Sequence, residues 1–192
     1  LIAGVVLAAG GASRFGSPKQ LAELDGVPLL QHAVDAMLAV AAIDPVVVVL
    51  GAEAERVREA LSLERARPAT CAAWAEGMAA SLRCGVDAVG DCDWLVITLG
   101  DQPRISSSVI AAVVEQARSA PAGSDAVRAS YDGVPGHPVA LGRAMLPEVA
   151  RLSGDVGARE LLRRATVRTF EAGRLSNPAD VDTPEELEAL RT

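Results

Sequence analysis

The chain reads as an α/β protein in which a mostly parallel, mixed sheet lies between layers of helix. Three observations predict this. Short apolar runs alternate with segments whose apolar residues recur every three or four positions, the pattern of right-handed βαβ units. Half of the 192 residues are hydrophobic but only 3% are aromatic, so the core must be built from Val, Leu, Ile and Ala, which suits a sheet covered on both faces. A glycine-rich segment follows the first apolar run directly, at the strand end where such sheets place their ligands.

Ile2 to Ala8 is the first predicted strand, apolar apart from Gly4 and ended by Gly10-Gly11. Leu29 to Val40 has helical spacing and leads into Pro45 to Leu50, a strand with four consecutive valines. Glu53 to Leu61 and Met78 to Val89 are helical, and Trp94 to Leu99 is the next strand. Ser107 to Arg118 is the fourth helix. Ser119 to Ser124, with Pro121 and Gly123, is an exposed loop too short to link two domains. The second half departs from alternation: the strands Ala126 to Tyr131 and Val139 to Leu141 flank Asp132-Gly133-Val134-Pro135-Gly136, which predicts a hairpin or a bent antiparallel edge. Val167 to Phe170 is the last strand, and Thr183-Pro184-Glu185-Glu186 starts the last helix, with Thr183 as N-cap, Pro184 at N1 and Glu186 completing a capping box. No internal repeat stands out, and the length predicts one domain over residues 1–192.

Bulk properties exclude several functions. A net charge of −7 argues against a nucleic-acid surface, which needs a basic field to release counterions. Cys71, Cys84 and Cys92 contain no C-x-x-C pair, and with two His residues the chain has no zinc-site spacing, so buried thiols are expected. The N-terminal apolar run lacks a basic flank and reads as a strand rather than a signal peptide. No stretch is long enough to span a bilayer, and a reduced, cytoplasmic setting is the expectation.

The chemistry starts at Leu7-Ala8-Ala9-Gly10-Gly11-Ala12-Ser13-Arg14-Phe15-Gly16-Ser17-Pro18-Lys19. Gly10, Gly11 and Gly16 permit positive φ and close backbone approach, so amide N–H groups can face phosphate oxygens while Arg14 and Lys19 supply charge. A Walker A loop fails, because Ser17-Pro18 follows Gly16 where Lys then Ser or Thr is needed. A G-x-G-x-x-G fingerprint fails too. A glycine-rich surface loop with two solvated cations is the bland alternative. Asp101 follows the strand Trp94 to Leu99 at its ligand-binding end, a position suited to holding Mg²⁺ with triphosphate oxygens; a turn-forming Asp before Pro103 is the alternative. Asp180 and Asp182 lie two residues apart on one side of an extended segment, so one of them can face the same ion. Ser81 falls in the first turns of a helix, Met78 beside it reads as packed core, and Asp155 can cap the helix carrying Arg159. His137, between Gly136 and Pro138, is by default structural, and Arg159 suits either an acceptor phosphate or a surface ion pair.

The signature L-A-A-G-x-x-x-R-x-G-x-x-K resembles the nucleotide-binding loop of nucleotidyltransferases that activate a phosphorylated acceptor with an NTP. The resemblance runs on through Trp74 to Leu82, Gly100-Asp101-Gln102-Pro103, Gly136-His137-Pro138, Gly154 to Arg159 and Asp180-Val181-Asp182-Thr183-Pro184, and is nearest to molybdenum cofactor guanylyl- and cytidylyltransferases. It implies a Rossmann-like three-layer sandwich of nucleotide-diphospho-sugar transferase type. It implies nucleotide contacts from Leu7, Ala8, Ala9, Gly10, Gly11, Arg14, Lys19, Gly77, Ser81 and Asp101, with Lys19, Arg14 and Asp101 catalytic. Asp101 and Asp182 would bind Mg²⁺, and His137 and Arg159 the acceptor. The implied reaction is transfer of CMP from CTP to molybdopterin with release of pyrophosphate, the product passing to a molybdenum hydroxylase. Three rivals stay open: transfer to a sugar or polyol phosphate; an oxidoreductase of nicotine-blue type, a label that some proteins of this branch carry; and a non-catalytic nucleotide-binding chaperone.

Overall fold

The computed structural model describes residues 1–11, 15, 17–173 and 175–191. In chain order the elements are β1 (Ile2–Ala8), a 3-10 turn at Lys19–Leu21, the two-residue strands β2 (Glu23–Leu24) and β3 (Val27–Pro28), α1 (Leu29–Leu38), β4 (Val46–Leu50), α2 (Ala54–Glu59), β5 (Arg67–Thr70), a 3-10 turn at Trp74–Glu76, α3 (Met78–Val89), β6 (Trp94–Leu99), α4 (Ser107–Arg118), β7 (Ala126–Tyr131), β8 (Val134–Gly142), a 3-10 turn at Arg143–Met145, α5 (Leu146–Val149), α6 (Ala158–Leu162), β9 (Val167–Glu171) and α7 (Pro184–Ala189).

Seven strands form one sheet in the order β5-β4-β1-β6-β8-β7-β9, all parallel except β8. Alternation along each strand divides the core between two faces. Val6, Val48, Val96 and Val127 pack under α1 and α4, while Val5, Val49, Ile97 and Leu141 pack under α3, α5 and α6. The architecture is therefore the expected three-layer α/β sandwich with a mostly parallel mixed sheet. A smaller cluster of Leu24, Leu29, Val181 and Leu187 anchors the C-terminal segment beside the β2–β3 hairpin. This anchor brings Asp182 from the far end of the chain to the loop after β1. α7 starts with the predicted capping box, Thr183 Oγ1 accepting from Glu186 N at 3.2 Å and Glu186 Oε2 from Thr183 N at 3.0 Å.

The predicted hairpin forms, with β7 and β8 antiparallel, and two corrections to the reading follow. The insert after β7 is a turn of only two residues: Asp132 and Gly133 have φ of +50° and +78°, and Tyr131 already pairs with Val134. An Asp-Gly pair with both φ positive matches the twist of the strands it joins. β8 consequently begins at Val134, and it lies inside the sheet rather than at its edge, paired with β6 on one side and β7 on the other. Its register slips between the Arg128–Val139 and Ser130–Pro135 pairs, and His137 lies in that bulge. The second correction is β5, which the sequence does not announce. It is a short edge strand, mostly exposed and containing Pro68, tolerable only where one side needs no partner.

Candidate active site

A cleft of about 270 Å³ lies at the carboxyl ends of β1 and β6. Leu7, Ala8, Ala9, Gly10, Gly11 and Lys19 line it from the first strand and loop, Gly77 and Ser81 from the start of α3, and Asp101 from the end of β6. The fold thus collects into one space every predicted nucleotide contact except Arg14, which lies outside the described residues. Trp74 and Gln20, which the sequence did not single out, line the same cleft.

The loop glycines meet the expectation only in part, and Gly16 lies outside the described residues. Neither Gly10 nor Gly11 adopts a positive φ. At Gly11 the constraint is space, since a Cβ there would stand 3.1 Å from the Trp74 ring. At Gly77 both arguments apply: φ is +111°, and a Cβ would come within 2.5 Å of the Gly154 backbone. That close approach lets Gly154 O accept from Ala79 N at 3.2 Å, and Asp155 Oδ1 accept from Met78 N at 3.4 Å. Asp155 therefore serves the start of α3 instead of capping α6, whose N-cap is Gly157 without a side-chain bond. Met78 is not core either; it is 37% exposed at the rim of the cleft, because the helix start faces the opening.

The electrostatic centre is Lys19. Its Nζ lies 2.8 Å from Asp101 Oδ2 and 2.7 Å from Asp182 Oδ1. Burial works against the ammonium, but the two carboxylates outweigh it and hold the Lys19 pKa above its ordinary value. The remaining Asp101 oxygen, Oδ1, is buried with no hydrogen-bond partner among the described residues. Two carboxylates thus converge on one cation position, with an acceptor oxygen to spare. Among the described residues no group of three or more His, Cys, Asp or Glu side chains could hold a metal, so any divalent ion here needs ligand oxygens from elsewhere.

Gln102 sets the height of the Asp182 segment. Its buried Nε2 donates to Asp180 Oδ1 at 2.8 Å and Pro178 O at 3.0 Å, while Val181 N donates to Asp101 O at 2.9 Å. Of the two spaced aspartates, Asp182 meets Lys19, whereas Asp180 is turned to Gln102. Burial and the nearby Asp101 carboxylate push the Asp180 pKa up.

His137 and Arg159 line a separate cavity of about 380 Å³ together with Arg128 and Arg163. His137 is half-buried, and desolvation brings its pKa down to about 4 although the Asp101 carboxylate pulls the other way, so the ring is neutral at pH 7. Arg159 is exposed, and the alternative of a surface ion pair is not seen for it among the described residues. Cys71 and Cys92 are buried and Cys84 is half-buried. No helix is long and apolar enough to cross a membrane among the described residues.

The MobA-like NTP transferase domain matches residues 4–169. The chain is 34% identical to nicotine blue oxidoreductase of Paenarthrobacter nicotinovorans, over 98% of its own length and 96% of that protein's. Its structure is similar to that of Rv0371c from Mycobacterium tuberculosis H37Rv, with a TM-score of 0.86, 30% identity, and 99% and 97% of the two chains covered. A structure of Rv0371c in complex with manganese superposes with a TM-score of 0.81 at 29% identity, covering 98% and 97%. A nucleotidyl transferase from Methanothermobacter thermautotroptrophicus gives a TM-score of 0.81 at 25% identity, covering 99% and 95%. The sandwich is of the nucleotide-diphospho-sugar transferase type.

Proposed function

The chain belongs to the MobA-like NTP transferase family and carries a nucleotidyltransferase-type domain, and from that premise we propose that it transfers a nucleotidyl group to a phosphorylated acceptor, with CTP as donor and molybdopterin as acceptor. Residues 1–192 act as one NTP transferase domain in this reading. The observation that carries it is the Asp101–Lys19–Asp182 ion-pair cluster beside a glycine-rich loop. A triphosphate needs a cation position and a mobile ammonium next to backbone donors, and the cluster supplies both. The manganese complex of Rv0371c and the unpartnered Asp101 Oδ1 support a divalent ion held by Asp101 and Asp182, with Mg²⁺ as the physiological choice. When bound, such an ion neutralises charge on the triphosphate as a Lewis acid.

The protein's own contribution is positional. Gly77 and Ser81 border the nucleoside end of the cleft, while the Ala8 to Gly11 backbone, Arg14 and Lys19 hold the phosphates. Lys19 exchanges its carboxylate partners for phosphate oxygens as nucleotide enters. His137 and Arg159 hold the acceptor, whose phosphate oxygen forms a new bond to the α-phosphorus as the bond to pyrophosphate breaks in line. The acceptor phosphate is already anionic, so no general base or protein nucleophile is required. The product would pass to a molybdenum hydroxylase.

A second reading has its own support in the 34% identity to nicotine blue oxidoreductase. It requires a reduced nicotinamide cofactor and explains neither the paired carboxylates nor the ammonium between them. One experiment separates the two: CTP, GTP, ATP and UTP are incubated with Mg²⁺, with and without molybdopterin, and pyrophosphate release is measured. Molybdopterin-dependent release with CTP is expected. Failure with every NTP, together with NADPH-dependent reduction of the pigment, would replace transfer by the oxidoreductase.

A further inference from the structure

Gln20 occupies the middle of the 3-10 turn Lys19–Leu21 and is only 5% exposed. Its Nε2 lies 2.8 Å from both Ala8 O and Gly10 O. A side-chain amide has two N–H hydrogens, so this pair of bonds uses both. The peptides joining Ala8 to Ala9 and Gly10 to Gly11 are trans, because the only cis bonds among the described residues precede Pro45 and Pro138. In a trans peptide the C=O and N–H point in opposite directions within one plane. Fastening the Ala8 and Gly10 carbonyls to a single group therefore turns the Ala9 and Gly11 N–H bonds together, away from Gln20. Both residues line the cleft, and neither amide donates to any atom among the described residues. For Ala9, 3% exposed, a donor left without an acceptor is costly and points to a ligand oxygen.

We infer that Gln20 is a positioning residue that keeps these two backbone donors aimed at a polyphosphate. The ligand class follows from convergence: two amide donors aligned by one side chain, with the Lys19 ammonium of the same turn lining the same cleft, suit adjacent anionic oxygens rather than a nucleobase edge. Gln31 is a useful contrast. It is also a buried amide, donating to Asp35 Oδ1 at 2.6 Å and Ser62 O at 2.9 Å, but it joins α1 to the segment after α2 and touches no part of the cleft.

The inference rests on the nucleotide reading above, and calorimetric binding distinguishes the two. Tripolyphosphate, CTP and cytidine are titrated into wild type, Gln20→Ala, Gln20→Met and Gln31→Met, with a thermal melt of each protein. Both Gln20 variants should bind tripolyphosphate and CTP at least ~10-fold more weakly, the scale of one lost charge-assisted bond, with cytidine unchanged. Gln31→Met should lose thermal stability yet bind as wild type. Folded Gln20 variants with wild-type affinity for tripolyphosphate overturn the inference, as does equal weakening by Gln31→Met. Weakening of CTP and cytidine but not tripolyphosphate would move the donors to the nucleoside. Wild type that binds neither tripolyphosphate nor CTP refutes the nucleotide reading and this inference with it. Should Gln20 variants fail to fold, amide exchange in wild type decides: the Ala9 and Gly11 amides should exchange more slowly with tripolyphosphate present, and unchanged exchange counts against the assignment.

Discussion

Replacing Asp101 by Asn separates the charge of this side chain from its shape. The swap is nearly isosteric, and Asn Oδ1 can still accept from Lys19, whose Nζ stands 2.8 Å from Asp101 Oδ2. What disappears is the charged part of one bond between side chains that are 18% and 27% exposed. A hydrogen bond to a charged group contributes about 1.5–3 kcal/mol, and solvent screening and the retained neutral bond reduce the loss to about 1 kcal/mol. Relief of the repulsion between Asp101 and Asp180 offsets part of that. The nucleotide-free melting temperature should therefore fall by only ~2–4 °C. Turnover should fall much further, by roughly 10²-fold or more, because a charge-stabilising group in the transition state is lost. The assay is a Mg²⁺ titration of pyrophosphate release beside a thermal melt. Wild-type rate and metal dependence in Asp101→Asn would refute the assignment of Asp101 to a cation, and a large fall in melting temperature would show that its charge serves the fold.

Asp182→Asn should cost less turnover than Asp101→Asn while raising the Mg²⁺ concentration for half-maximal rate, since Asp182 is 51% exposed and an amide oxygen still coordinates; the same titration checks the ranking. Lys19→Ala should weaken triphosphate binding and slow transfer, and unchanged nucleotide KM and kcat would remove the ammonium from the cleft chemistry. For His137, burial holds the folded pKa at about 4 against the usual 6.5. Its contribution to stability is thus full above about pH 6.5 and is lost as pH falls toward 4, by about 2 kcal/mol after allowance for partial exposure. Melts of wild type and His137→Gln from pH 4 to 8 should converge on the acid side, and parallel curves would contradict the shift. The same variant should alter acceptor KM more than nucleotide KM.

The sequence made the centre of the fold legible because its strands must be apolar on both faces. β1, β4 and β6 appear as nearly uninterrupted apolar runs, since α1 and α4 cover one side and α3 the other. β5 stayed hidden because an edge strand needs neither apolar faces nor a full set of donors, and Arg67-Pro68 resembles a loop. The start of β8 was hidden by Val134-Pro135-Gly136, whose turn-forming residues belong to an irregular strand. Motif spacing brought together most residues of the cleft. It gave no role to Gln20 or Gln102, because a buried amide that satisfies distant acceptors has no periodicity, and its partners are known only once the chain has folded. Asp155 was misassigned for a related reason: its partner, the Met78 amide, is 77 positions away, while proximity in sequence favoured α6.

The placement of the two tryptophans gives this protein an optical reporter of its own. Trp74 forms one wall of the cleft, whereas Trp94 opens β6 at the other end of that strand, ~20 Å away for six extended residues. Indole emission responds to charge and polarity within a few ångströms, so a ligand entering the cleft should alter the emission of Trp74 and leave that of Trp94 as a constant background. In Trp94→Phe all remaining indole fluorescence comes from the cleft wall, which allows occupancy to be followed in real time without a label.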